Sequence, residues 1–216
     1  MFSAGAASLF LSFLPMLPTQ ILLNNLLYDI SEMMIPTDRI DEEQLRRPSH
    51  WDIGMIRRFM TFFGPISSLF DFATFAILLW GFDAGATLFR SGWFVESLAT
   101  QSLAIFAIRT HRVPFFRSRA STPLIASTLL VVGIGFALPF SPLAHTLGFT
   151  ALPATLVGVI VAIIPTYLLL LELGKRRFYR LEQDRRPVAP TRTAHQRHVL
   201  RRAARWTIRH RAQPST

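Results

Sequence analysis

The chain has 216 residues, half of them hydrophobic, 12% aromatic and 17% charged, with a mean hydropathy of +0.34. That composition excludes an ordinary water-soluble domain and indicates a polytopic membrane protein, while the lack of any cysteine excludes disulfides and thiolate metal sites. The net charge of +10 comes from 23 basic and 13 acidic residues, so where the basic residues lie matters more than how many there are.

Apolar stretches fall at 2–17, 19–34, 60–82, 91–108, 122–140 and 153–173. A membrane-crossing helix needs about 20 mostly apolar residues, and the last four stretches meet or approach that. The first is short, has no basic residue ahead of it and runs straight into "FLPMLP". It lacks the basic start and cleavage site of a signal peptide and reads as a span opened partway along its helix.

The second stretch, "LLNNLLYDISEMMIP" from Leu22 to Pro36, is interrupted by Asn24, Asn25 and Asp29. A charge at the bilayer centre costs roughly 2.5–3.5 kcal/mol on insertion scales, so such groups face a bundle interior or a polar path. Asn25, Asp29 and Glu32 are spaced i, i+4 and i+7 and share one helix face. An amide oxygen and carboxylates suit a hard cation such as Mg²⁺; the plain alternative is a polar bridge between helices.

Further along, Asp71 and Glu96 lie inside apolar stretches as ligands or helix–helix partners, with Gln101 near the surface of Glu96. Glu172, beside "GKRR", reads as interfacial, and Trp51, Trp80 and Trp93 lie near span ends, where interfacial anchors belong.

The connections set the orientation. Residues 35–58, 109–121 and the segment from 174 onward hold every basic residue except Arg90. The positive-inside rule makes those segments cytoplasmic, giving six spans with both ends on the cytoplasmic side. Between Gln196 and Arg209 the tail is basic and amphipathic, with Val199, Ala203 and Trp206 on one face, which suits an anionic lipid surface. Nucleic acid is not expected as a partner, because that segment offers a single aromatic for stacking. His195 and His198 have no further ligand near them in sequence, which argues against a metal site. There is no G-x-x-x-x-G-K-[ST] phosphate loop, so no soluble nucleotide chemistry is indicated.

The stretches "NNLLYDISEMMIP", "RRFMTFFGPISSLFDFATF", "LFRSGWFVESLATQSL", "IRTHRVPFFRSRAS" and "ALPFSPLA" together resemble the magnesium-transporting P-type ATPases of bacteria. The resemblance covers about residues 1–181, in order, and corresponds to the fifth through tenth transmembrane helices of that family. It implies an all-α membrane protein, a six-span helical bundle with its first span truncated; the basic tail over 182–216, longer and more basic than is usual in that family, reads as a flexible cytoplasmic segment. The implied setting is the bacterial inner membrane.

The implied function is the ion-pathway portion of an ATP-driven Mg²⁺ importer, with Mg²⁺ as the transported ion. Asn25 and Asp29 then belong to the broken sixth helix that lines the ion site, and Glu96 to an acidic position of the eighth. ATP would enter only through domains not in this sequence, since the phosphorylated "DKTGT" segment is absent and the chain alone is expected to be inactive as an ATPase. The bilayer, Mg²⁺ and the N-terminal half of such a pump are the implied partners.

Glu32, where the family leads one to expect Gln, and Ser97, where Gly is expected, are departures. Two other readings stand beside this one: a small stand-alone membrane protein, channel-like or regulatory, or a membrane-tethered binder of anionic lipid.

Overall fold

Pro15 and Pro18 end the first helix. A proline ring in a helix interior clashes with the carbonyl four residues back and removes a hydrogen bond, so the apolar run beginning at Phe2 cannot stay helical through "FLPMLP". In the structure, a computed structural model that describes residues 2–38, 53–108 and 120–185, helix α1 covers Phe2–Phe10 and residues 11–17 are irregular. Pro18 then occupies the first turn of α2, Pro18–Glu32, where its missing N–H costs nothing. A short 3₁₀ turn, Ile35–Thr37, follows.

The remaining α-helices among the described residues are α3 (Ile53–Ala76), α4 (Ala86–Ile108), α5 (Thr122–Ala137) and α6 (Ala154–Arg185). Pro65 and Pro165 lie inside α3 and α6, as packed membrane helices tolerate. The last turn of α3 widens into a π-turn at Ile77–Gly81, and the chain reverses through Asp83, whose φ of 45° is in the left-handed region. Ser121 caps α5 by accepting from the Leu124 N–H.

Among the described residues, three segments are long and apolar enough to cross a membrane: Ile56–Gly81, Thr122–Phe140 and Ala154–Leu181. The other three helices differ for physical reasons. At 1.5 Å per residue, α2 is about 22 Å long, less than the roughly 30 Å of a bilayer core, and α1 is shorter still. Helix α4 is long enough, but residues 91–100 are buried all round, so its surface can carry Ser91, Glu96, Ser97, Thr100 and Ser102 instead of facing lipid.

Helix α4 is the centre of the bundle. Phe89, Phe94 and Leu98 are wholly buried, packed with Leu78 of the π-turn, Val131 of α5, and Leu156 and Ile160 of α6. Close approach depends on small residues: a Cβ at Gly135 would come within 2.6 Å of a Leu98 methyl, so a side chain there would force the wholly buried Leu98 to shift. Helix α2 packs against both α4 and α5, and α1 against α3.

Trp93 is not an interfacial anchor as its position near a span end suggested. It is 5% exposed, edge-on to Phe75, because the all-round burial of α4 leaves no interfacial face at that point. Trp80 is 86% exposed, and Trp51 lies outside the described residues.

The chain forms two compact units, Met1–Phe178 and Tyr179–Thr216; of the second, the described part is the final turns of α6. Within the first unit, Phe178 packs against Phe59, Phe62 and Phe63 and joins the end of α6 to the start of α3. Glu172 is ion-paired with Lys175 at 2.7 Å and with Arg176 at 3.2 Å. The amphipathic stretch Gln196–Arg209, with His195 and His198, lies outside the described residues.

Candidate functional site

Helix α2 has a buried face and an exposed one. Gln20, Asn24, Leu27 and Ser31 form its buried stripe, and Leu22, Leu26, Asp29, Ile30 and Met33 its exposed one. Asn25 lies between the two and is half-buried. Successive helical residues turn by about 100°, so Asn24 and Tyr28 point to the interior while Asp29, one residue on, does not.

The interior face opens on a cavity of about 630 Å³. Ser3 of α1 and Met16 of the α1–α2 connection line it, as do Ile21, Asn24, Tyr28 and Glu32 of α2, with Ile35 and Asp38 just beyond. Ser67 and Asp71 of α3, Trp93, Ser97 and Gln101 of α4, and Tyr167 of α6 complete the polar wall, and Ala104, Ile105 and Leu124 add apolar surface. None of these lining residues is Lys, Arg or His.

The expected site residues are therefore divided. Of the Asn25–Asp29–Glu32 face, the cavity takes Glu32; Asn25 and Asp29 look away from it. Glu96 is 1% exposed and lies in the wall of α4, next to the lining residue Ser97; its Oε2 has no hydrogen-bond partner among the described residues. Asn24 Oδ1, Thr74 Oγ1 and Ser102 Oγ are likewise buried without a hydrogen-bond partner among the described residues.

Asp71 resolves as a helix–helix partner. Its Oδ2 accepts a hydrogen bond from the Ser3 hydroxyl and its Oδ1 one from Trp93 Nε1 at 3.4 Å, so one carboxylate ties α1 and α4 to α3. Gln101 donates to the Ser97 hydroxyl at 2.7 Å, and Asp38 accepts from the Ser121 N–H at 2.8 Å, tying the end of α2 to the start of α5.

Sequence reasoning missed Asn24, Tyr28 and Asp38 as lining residues. The signal for Asn24 and Tyr28 was their i, i+4 spacing with Glu32 four further on, a face as polar as the one chosen. Nothing in the sequence near Asp38 distinguished it from a solvated loop acid.

Among the described residues, no group of three or more His, Cys, Asp or Glu is close enough to grip a bare metal ion. The cavity offers instead a dispersed set of oxygen donors around a space large enough for an ion that keeps its water. Mg²⁺ dehydrates reluctantly and commonly binds in that way.

A helical bundle with long apolar segments and a carboxylate-bearing interior defines the class: a membrane-embedded helical domain with a polar interior cavity. Residues 13–177 match the family described as cation transporting ATPase, C-terminus, and the chain belongs to that family. It is 51% identical over 178 residues to a magnesium-transporting ATPase, P-type 1, of Salmonella typhimurium (strain LT2), and 50% identical over 178 residues to that of Escherichia coli K12. A further Salmonella typhimurium protein of the same name is 43% identical over 182 residues. These alignments take in 81–82% of this chain but 20% of each relative, so the chain spans about a fifth of the length of the curated relatives it matches.

Proposed function

We propose that the chain is the membrane ion-pathway portion of a P-type pump that moves Mg²⁺ into the cytosol. The observation that carries this reading is the cavity, lined among the described residues by the carboxylates of Glu32, Asp38 and Asp71 and by no Lys, Arg or His. Such a space attracts a cation, and the amide and hydroxyl oxygens of Asn24, Ser97, Gln101 and Tyr28 are suited to its hydration shell. The relatives, named as magnesium-transporting ATPases, supply the identity of the ion.

In this reading Asn25, Asp29 and Glu96 are also ion-path residues. Asn25 and Asp29 serve a second polar face of α2, directed towards the rest of the pump, and Glu96 backs the cavity wall. Hydrolysis of ATP belongs to domains outside this sequence. The bilayer surrounds the bundle, the arginine-rich connections lie in the cytosol, and the basic amphipathic sequence Gln196–Arg209 suits the anionic inner leaflet.

The test uses paramagnetic Mn²⁺ as a stand-in for Mg²⁺. The chain has no cysteine, so Ser67→Cys gives a single spin-label site at the cavity wall. In lipid nanodiscs, Mn²⁺ should shorten the label's relaxation time and excess Mg²⁺ should reverse it. An unchanged label, or one whose response Mg²⁺ does not displace, would overturn the reading.

A further inference from the structure

We propose that Arg90 locks one mouth of the cavity, and that releasing it opens the interior at the end where the α1–α2, α3–α4 and α5–α6 connections meet. The segment it holds is residues 11–17, whose Met16 lines the cavity. Prolines at 15 and 18 deny this segment regular structure, and each forces the residue before it into an extended conformation.

The two ends of the segment are fixed independently of Arg90. At one end the Leu11 N–H bonds the Ala7 carbonyl at 2.9 Å, continuing α1. At the other the Leu17 N–H bonds Gln20 Oε1 at 3.0 Å, and Gln20 Nε2 donates to the carbonyls of Leu147 and Gly148 at 2.9 and 3.1 Å. Gly148, at a φ of +73°, leaves room there for Leu17, and a Cβ would come within 2.7 Å of it. The start of α2 is thus clamped to the α5–α6 connection.

Between these anchors, among the described residues, the hydrogen bond that reaches the segment comes from Arg90 Nε to the Leu14 carbonyl at 2.9 Å. The same guanidinium lies 5.8 Å from the centre of the Phe13 ring, which packs edge-on against Phe89 of α4. Arg90 itself stands on the first turns of α4, whose neighbouring Ser91 hydroxyl accepts the Thr150 N–H at 2.8 Å. A rigid element therefore carries the donor, and the acceptor lies on a loop that is otherwise held by the packing of Leu11, Phe13 and Met16. Loss of the donor frees residues 12–16 without loosening α2. The lock is a property of the cavity whatever ion passes through it, so it can fail while the transport reading stands, and the reverse.

The natural absence of cysteine again supplies the assay. Met16→Cys places a thiol on the loop, and Ser97→Cys places one on the α4 wall of the cavity; both parent side chains are under 10% exposed. Each is reacted, in the full chain in nanodiscs, with a small charged methanethiosulfonate, with Arg90 intact and with Arg90→Met, which keeps the apolar contact and removes the donors. Arg90→Gln serves if the methionine variant does not fold. Both thiols should react faster by about tenfold to a hundredfold, the population change set by one hydrogen bond to a charged group. Unchanged rates, or acceleration at one thiol without the other, would overturn the proposal.

Discussion

Asp71 shows how a half-buried carboxylate can be structural while lining a polar cavity. It accepts from Ser3 and Trp93, and the indole N–H is nearly buried with it. Asp71→Ala strands that donor, and leaving a buried donor unsatisfied costs about 1–3 kcal/mol. Unfolding of the variant in mixed detergent micelles should register a loss of that order; unaltered stability would show that the bridge contributes nothing. Glu32 lines the same cavity from α2, hydrogen-bonded to the Tyr28 hydroxyl, and is the carboxylate there suited to meeting a cation. Glu32→Gln keeps the shape and removes a charge, so divalent affinity at the cavity should fall several-fold with folding intact, read from the Mn²⁺ titration of the spin-labelled chain. At this scale the sequence disclosed that α2 is polar but not which polar face is inward. The faces of Asn25 and of Asn24 are about 100° apart on one helix and equally rich in oxygen, and the choice between them is made by α4 and α5 packing on one side.

Among the elements, the apolar runs located six helices because the cost of exposing polar backbone to lipid leaves helices as the main option. Their limits shifted where the signal was chemical rather than hydropathic. The run at 2–17 is helix as far as Phe10, since the prolines outweigh hydrophobicity, and the run at 91–108 begins its helix at Ala86. Burial of α4 on every side was not legible, because a polar helix at the centre of a bundle and one beside water have the same composition. At Gly135 α5 lies close to α4, and a larger residue there must displace the buried Leu98 side chain. Gly135→Leu should cost about 1–3 kcal/mol by overpacking, seen as a lower unfolding midpoint in detergent. A midpoint equal to that of the parent would mean that the two helices separate freely.

For the whole molecule, orientation follows from the placement of arginine and is open to direct measurement. In the cysteine-free chain, His145→Cys should be labelled by an impermeant reagent in intact cells. Gln44→Cys, in an arginine-bearing connection, should be labelled only after permeabilisation; the reverse pattern would invert the topology. Incubated with labelled ATP and Mg²⁺, the 216-residue chain should form no acyl-phosphate, because it lacks the "DKTGT" segment, and phosphate carried on the chain would contradict this.

The claim that this bundle is the Mg²⁺ path of a pump is tested most directly by transplantation. Residues 13–177 replace the matching segment of the Escherichia coli relative, and Mg²⁺ uptake is measured in cells lacking other importers. The account predicts ATP-dependent uptake by the chimera and its loss with Asp29→Asn, which removes a charge that offsets the divalent ion while nearly keeping the shape. A chimera that inserts normally, forms its acyl-phosphate and moves no Mg²⁺ would contradict it.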